Sequence, residues 1–117
     1  MIELHLPLPP SKNALRKRTK TGIARSQRYE DWLFDAGFMA LAQRRGQGEI
    51  PGRYKLSIDA VRPDDKRRDL GNLLEATEDL LTSVRIIQDD SLSEMISMRW
   101  VTQGEGITVR IEKAGVK

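Results

Sequence analysis

Four segments of alternating apolar and polar residues are the feature that most constrains the fold of this chain. They cover residues 2–8, 54–60, 96–100 and 107–111. Alternating side chains project from opposite faces of a strand, so each segment predicts a β-strand with one apolar face. These faces must be buried together, which favours one small sheet covered by other elements.

Two segments between these strands have helical periodicity. The first is predicted to begin after Ser26, a good capping residue, and to run to about Arg45. The second is predicted from about Asn72 to Val84. The order β-α-β-α-β-β predicts one domain over residues 1–117 of the mixed α/β or α+β class, with a small mixed four-stranded sheet and helices packed against it. The basic segment 11–25 is predicted to be a long mobile loop.

The formal net charge of +3 conceals two segments of opposite charge. Residues 1–28 contain seven Lys or Arg residues and one acidic residue, Glu3, whereas residues 69–105 contain eight acidic residues and two arginines. A basic segment attracts phosphates and an acidic one attracts cations, as a metal-dependent nucleic-acid enzyme requires. Two solvated faces that pair with each other would explain the same pattern.

Several classes of protein are excluded by composition. The chain has no cysteine, which excludes disulfides and thiolate zinc sites. Its single histidine, His5, argues against a histidine metal site or a Ser-His-Asp triad. No apolar run reaches the length of a membrane span, and the N-terminus lacks the layout of a signal peptide. We therefore expect a cytoplasmic protein without a membrane partner.

Acidic residues are concentrated around the second predicted helix. Asp69 precedes it, Glu75 and Asp79 lie four residues apart on it, and Asp89 and Asp90 follow it. Residues four apart on a helix share a face, with Cβ atoms about 6 Å apart. Carboxylate oxygens are the ligands that Mg²⁺ and Mn²⁺ prefer. Such an ion could orient water and stabilise charge on a phosphate.

Each of these residues also has a structural explanation. Asn72 and Glu75 have the spacing of a capping box, and an acidic residue in the first helical turn complements the helix dipole. Asp89 and Asp90 could form a turn before a strand. Glu78 is expected to face solvent.

Two basic clusters flank the acidic residues. The first contains Lys12, Arg16, Lys17, Arg18 and Lys20, and the second contains Lys66, Arg67 and Arg68. Both could contact phosphates without reading sequence, although basic clusters often serve solubility alone. Trp32 and Trp100 lie on apolar faces and are predicted to be core residues rather than stacking platforms for bases.

Four motifs in this order resemble the RusA-type Holliday junction resolvases. They are the strand ending in Pro9-Pro10-Ser11-Lys12-Asn13, the segment Arg67-Arg68-Asp69-Leu70-Gly71-Asn72-Leu73, the helix with Asp79-Leu80-Leu81, and Ile87-Gln88-Asp89-Asp90. The resemblance spans Met1 to about Glu112. It implies a small homodimeric, Mg²⁺-dependent endodeoxyribonuclease of recombination and repair, often encoded by phages and prophages, whose substrate is the four-way junction.

The resemblance also implies roles for individual residues. Asp69 and Asp90 match the metal-binding catalytic carboxylates, and Asp89 and Asp79 match further acidic positions. Asn13 matches an asparagine of the N-terminal motif, and Arg68 matches a basic residue beside the active site. Lys12, Asn13 and the two basic clusters are the predicted DNA contacts.

The chain departs from the family at two positions. The usual Asp-x-Asp-Asn is Asp69-Leu70-Gly71-Asn72 here, and Glu75 stands where a lysine is common. One hypothesis is that Glu75 replaces the missing carboxylate as a catalytic metal ligand. The alternatives are a protein that binds junctions but cuts poorly or not at all, and an RNA-binding module. The backbone freedom of glycine at a helix entry would by itself explain Gly71.

Overall fold

The computed structural model describes residues 1–115 and contains six strands and two helices. In chain order these elements are β1 (Ile2–Leu6), β2 (Arg16–Thr19), β3 (Gly22–Arg25), α1 (Gln27–Gln43), β4 (Tyr54–Val61), α2 (Leu74–Ser83), β5 (Ser93–Val101) and β6 (Ile107–Lys113). Short 3₁₀ turns cover Lys12–Ala14, Leu70–Leu73 and Asp90–Leu92. Within residues 1–115 no helix has the length and apolarity that crossing a bilayer requires.

The main sheet has four strands in the order β1-β6-β4-β5. β4 and β5 are parallel, and the other neighbours are antiparallel. The predicted mixed class and four-stranded sheet are therefore confirmed. Because parallel neighbours need a crossover, the chain leaves the end of β4, passes through α2 and returns to the start of β5.

One face of this sheet forms the core. Strand register places Ile2 opposite Ile111 and Leu4 opposite Val109, and all four side chains are buried. α1 packs against β1 and also contacts α2. Trp32 of α1 is buried and donates its indole N–H to the Pro7 carbonyl at 3.0 Å, as expected for a core residue whose polar atom needs a partner.

The opposite face carries a ladder of ion pairs across all four strands. Arg110 of β6 lies 3.6 Å from Glu3 of β1 and 3.2 Å from Asp59 of β4. Asp59 in turn accepts a hydrogen bond from Arg99 of β5 at 2.8 Å. The hydrogen bond from Arg99, followed by the one from Arg110, holds the pKa of Asp59 below its usual value. The ladder stabilises the same register that the apolar face requires.

The prediction of a mobile loop over residues 11–25 is wrong. β2 and β3 form an antiparallel hairpin whose ends are paired through Arg16 and Arg25. Below it, Leu15 is fully buried, and Ser26 donates its hydroxyl to the Ala14 carbonyl at 2.5 Å. Every residue of β3 is exposed, and in β2 only Thr19 is partly covered, so neither strand has the apolar alternation that predicts a strand.

The prediction that Trp100 is a core residue is confirmed in part. Its side chain is partly buried and packs against the core from β5. The guanidinium of Arg62 lies 4.7 Å from its ring centroid and makes a cation–π contact with the ring.

Asp59→Asn is expected to lower the free energy of unfolding by about 1 kcal/mol, because Asp59 joins two arginines but solvent screens the exposed Arg99. The lowered pKa of Asp59 means that its contribution is present above the unfolded-state pKa and is lost as the pH falls through the folded-state pKa. Urea denaturation of both proteins at neutral and acidic pH measures the difference.

The matched control is Glu3→Gln at the end of the ladder, which should change stability less than Asp59→Asn does. An equal loss in the two variants, or a loss for Asp59→Asn that persists at the lowest pH, would contradict the central role of Asp59.

Candidate active site

Asp69 caps the 3₁₀ turn that precedes α2. Its backbone is extended, and its Oδ1 accepts a hydrogen bond from the Gly71 amide at 3.0 Å. Asn72 lies inside this turn, and the N-cap position of α2, Leu73, has no side-chain capping bond. The capping interpretation of Asn72 is therefore wrong. Asp69, and not Asn72, accepts the hydrogen bond from the Gly71 amide at the start of the turn. The side chain of Asp69 is exposed to solvent.

A surface cleft joins two motifs that are distant in the sequence. Its lining comes from the N-terminal motif, from the basic segment before α2 and from β5; the residues are Leu8, Pro9, Ser11, Arg67, Arg68, Asp69, Asn72, Leu73 and Trp100. We call this the Asp69 cleft. It brings an exposed carboxylate, two arginines and an amide side chain into one concave surface, which suits recognition of a phosphate backbone beside a carboxylate.

Gly71 is not required by its backbone conformation. Its φ lies outside the left-handed region, so other residues could adopt it. A Cβ atom built at this position would lie 3.4 Å from Oδ1 of Asp69. The explanation of Gly71 by backbone freedom is therefore wrong. A carboxylate here would stand next to that of Asp69, and with glycine at this position Asp69 has no acidic neighbour at residue 71.

Glu75 is bound by an arginine of the β2–β3 hairpin. The guanidinium of Arg16 on β2 forms an ion pair and a hydrogen bond with Glu75 on α2. That hydrogen bond, followed by the charge of Glu75, raises the pKa of Arg16. A metal ion would have to compete with Arg16 for this carboxylate. Glu75 therefore fastens the hairpin to α2 in the structure.

Asp79, one turn later on the same face of α2, also has protein partners. It accepts a hydrogen bond from the Tyr29 hydroxyl at 2.6 Å and lies 4.0 Å from Arg25 of β3. Burial, followed by this hydrogen bond, raises the pKa of Tyr29. The predicted sharing of one face by Glu75 and Asp79 fits these contacts, since both are directed to the hairpin and the start of α1.

Glu78 is buried, contrary to the expectation that it faces solvent. It accepts a hydrogen bond from the Tyr54 hydroxyl at 2.8 Å. Burial raises the pKa of Glu78, and the negative charges of Asp90 and Asp79 add to this effect. The sequence contained a signal for this: Glu78 is four residues after Leu74 and three before Leu81, the spacing of an inward face.

Asp89 and Asp90 have different surroundings. Asp89 caps the turn Asp90–Leu92 by accepting hydrogen bonds from the amide and hydroxyl of Ser91. The hydroxyl bond, followed by the amide bond, lowers the pKa of Asp89. The turn interpretation of Asp89 is confirmed. Asp90 is exposed at the start of the same turn.

The basic candidates differ in whether a carboxylate of the protein already pairs with them. Arg68 forms a bidentate pair with Asp64 at 3.0 and 2.6 Å, which lowers the pKa of Asp64 to about 2. Arg16 is held by Glu75. The other candidate DNA contacts are exposed on the Lys12–Ala14 turn, on the hairpin or on the loop before Asp69; they are Lys12, Asn13, Lys17, Arg18, Lys20, Lys66 and Arg67.

The carboxylates do not form a complete protein cage for a metal ion. Among residues 1–115, no three His, Cys, Asp or Glu side chains are close enough to hold an ion together. Mg²⁺, however, is commonly bound by one or two carboxylates, waters and substrate phosphates. Asp69 and Asp90 are exposed carboxylates of the type that such an ion prefers, and Asp69, but not Asp90, is among the residues that line the Asp69 cleft.

Comparison with known proteins identifies one family. The model of the family described as endodeoxyribonuclease RusA matches residues 7–112. A search of curated proteins found no match. The matched region includes the Asp69 cleft, the hairpin, both helices and the turn that contains Asp90.

Glu75→Gln is expected to loosen the hairpin, because it removes the negative partner of Arg16. Amide exchange across residues 16–25, measured by mass spectrometry, should become a few-fold faster than in the wild type. Glu105→Gln, an exposed acid in the turn before β6, serves as the control and should leave this exchange unchanged.

Metal affinity measured by calorimetry on the same variants separates the two roles of Glu75. Unchanged hairpin exchange with clearly weaker metal binding in Glu75→Gln would make Glu75 a ligand and would contradict the hairpin contact as its main role.

Proposed function

Because the chain belongs to the RusA endodeoxyribonuclease family, we propose that it is a Mg²⁺-dependent endonuclease that resolves four-way DNA junctions in recombination and repair. The observation that carries this proposal is the Asp69 cleft, in which residues from two of the four motifs shared with the family line one surface. The proposed cellular location is the cytoplasm.

Asp69 and Asp90 are the proposed catalytic ligands of the ion. When bound, Mg²⁺ would supply stabilisation for the negative charge that develops on the scissile phosphate, and Mn²⁺ could substitute for it. Asp69 has its Oδ1 fixed by the Gly71 amide, which orients the carboxylate before DNA arrives. Asp89, Asp79 and Glu75 lie outside this pair in the proposal, because each accepts a hydrogen bond from another side chain, whereas the partner of Asp69 is a backbone amide.

The exposed basic residues are the proposed DNA contacts. Lys17, Arg18 and Lys20 on the hairpin and Lys66 and Arg67 beside the cleft would contact backbone phosphates, so selectivity would come from junction shape. A homodimer with two-fold symmetry would present two equivalent clefts to opposed strands of the junction. This arrangement would give paired incisions.

A second function is favoured by Gly71. Its backbone has no need of glycine, so the carboxylate that the family resemblance implies at this position could have been kept, and its absence leaves Asp69 with one acidic neighbour fewer. The second candidate is therefore a protein that binds branched DNA and cuts it slowly or not at all.

Asp90→Asn is expected to reduce junction incision by at least about a hundredfold, because it removes a ligand whose charge stabilisation is worth several kcal/mol. Incision of a synthetic four-way junction is measured with Mg²⁺, with Mn²⁺ and with chelator. Glu94→Gln, an exposed acid on β5, is the control and should cut at the wild-type rate.

Binding to the same junction, measured with structured RNA as competitor, completes this test. Junction binding without incision under either ion would support the second candidate. Preference for the RNA competitor would contradict both candidates and favour an RNA-binding module.

Gly71→Asp is expected to increase incision by about tenfold, equivalent to about 1.4 kcal/mol of transition-state stabilisation. The reason is that it places a second carboxylate next to Asp69 at a position whose backbone accepts a side chain. Single-turnover cleavage over a range of Mg²⁺ concentrations gives both the rate and the apparent metal affinity.

Gly71→Asn is the matched control, since it has nearly the same shape without the charge. Equal rates in the aspartate and asparagine variants would mean that the charge at this position does not limit incision.

A further inference from the structure

Trp100 lines two adjoining pockets near the end of β5. One is the Asp69 cleft. The other has a volume of about 260 Å³, and we call it the Trp100 pocket; it is lined by Arg62, Asp64, Asp65, Trp100, Val101 and Thr102. Because Trp100 is only partly buried against the core, part of its ring system remains available to both pockets.

The strand pairing fixes the position of the Trp100 pocket. Trp100 lies opposite Ala60 in the parallel pairing of β4 with β5. Just beyond the end of β4, the backbone N–H of Arg62 donates to the Val101 carbonyl at 3.4 Å. These contacts hold the beginning of the loop over residues 62–68 against the end of β5. The Trp100 pocket is therefore anchored to the sheet, and it shares Trp100 with the Asp69 cleft.

The two pockets differ in the charge of their lining. The Asp69 cleft has two arginines and one carboxylate, whereas the Trp100 pocket has one arginine and two carboxylates. A phosphate is therefore attracted to the cleft and repelled by the pocket. A nucleobase is neutral, and carboxylate oxygens accept hydrogen bonds from the amino groups on base edges. The chemistry of the two linings thus suits a phosphate on one side of Trp100 and a base on the other.

The contact between Arg62 and Trp100 can be exchanged for a base. The exposed guanidinium of Arg62 lies over the Trp100 ring, 4.7 Å from the centroid. A cation–π contact at an exposed site is weaker than the stacking of a base on an aromatic ring. A base that takes the place of the guanidinium over the ring therefore replaces a weaker contact by a stronger one. The released Arg62 can then contact a phosphate of the same strand.

We propose that the Trp100 pocket receives one unstacked nucleobase of the DNA strand whose backbone lies in the Asp69 cleft, with Trp100 as the stacking platform. This inference rests on the proposed function and deepens it. Bases in continuous duplex keep both stacking neighbours, whereas a base at an opened branch point loses one and costs less to extract. Stacking tolerates any base, so Trp100 selects junction over duplex without reading sequence.

Replacement of Trp100 tests this selectivity. Trp100→Leu should weaken binding to a synthetic four-way junction about tenfold, because leucine packs against the core but has no aromatic face. Binding to a fully paired duplex of the same length should not change. Trp100→Phe is the matched control and should retain most of the junction affinity. Fluorescence anisotropy measures binding, with chelator present to prevent incision. Equal losses for junction and duplex would indicate a structural role and overturn the proposal.

Removal of the base from the DNA is the reciprocal test. Junctions are prepared with one abasic site at each nucleotide around the branch point in turn, which removes a base and keeps its phosphates. At one position the abasic site should weaken binding by the wild type about tenfold and leave binding by Trp100→Leu nearly unchanged, because base and platform act as a pair. If the loss at every position is the same in both proteins, the proposal is overturned.

Tryptophan fluorescence tests the unaltered protein and does not require any variant to fold. The chain has two tryptophans, and Trp32 is buried in the core, so a stacked base should quench the emission of Trp100 selectively. Quenching by the junction and not by the duplex supports the platform. Equal quenching by both, or quenching by neither, overturns it.

These measurements separate the platform from the proposed function. A wild type that binds the junction no better than the duplex contradicts both proposals. A wild type that prefers and cuts the junction, and whose preference is kept in Trp100→Leu, contradicts the platform alone and leaves the nuclease proposal standing.

Discussion

The parallel pairing of β4 and β5 is the constraint on which the candidate site depends. Parallel neighbours cannot be joined by a hairpin, so the chain must cross the sheet between them, and α2 makes that crossover while covering the apolar face. Asp69 stands where the crossover begins and Asp90 where it ends. The helix that completes the core therefore also determines where both proposed ligands lie.

Negative charge along this crossover is largely offset by protein partners. Arg16 pairs with Glu75, Tyr29 donates to Asp79, and the buried Glu78, whose pKa is raised by burial, has a tyrosine donor. These contacts leave the exposed Asp69 and Asp90 as the carboxylates with most capacity for a cation. For this reason a carboxylate introduced at position 71, whose Cβ atom would lie 3.4 Å from Oδ1 of Asp69, would add negative charge beside one of these two residues.

The sequence was sufficient to predict the main sheet and both helices, because each has an apolar face that repeats with a strand or helix period. It was insufficient for the hairpin, whose strands have no buried face and are fixed by Leu15 below and by Glu75 on α2. It also could not predict that Pro9 and Asp69 line one cleft, since that proximity is produced by tertiary packing. Residue types alone identified the carboxylates, but not which of them already had partners.

The existing ion pairs determine which basic residues can contribute most to DNA binding. Arg16 is paired with Glu75, and Arg68 is paired with Asp64. Each arginine must break its ion pair before it can contact a phosphate, so the loss of that pair offsets part of the electrostatic gain from the phosphate contact. Lys17, Arg18 and Lys20 are exposed on the hairpin and bear no such cost. A phosphate that does displace Glu75 from Arg16 frees a carboxylate beside the start of α2. If the hairpin binds DNA as proposed, that binding and the negative charge available on α2 would be coupled through this one ion pair.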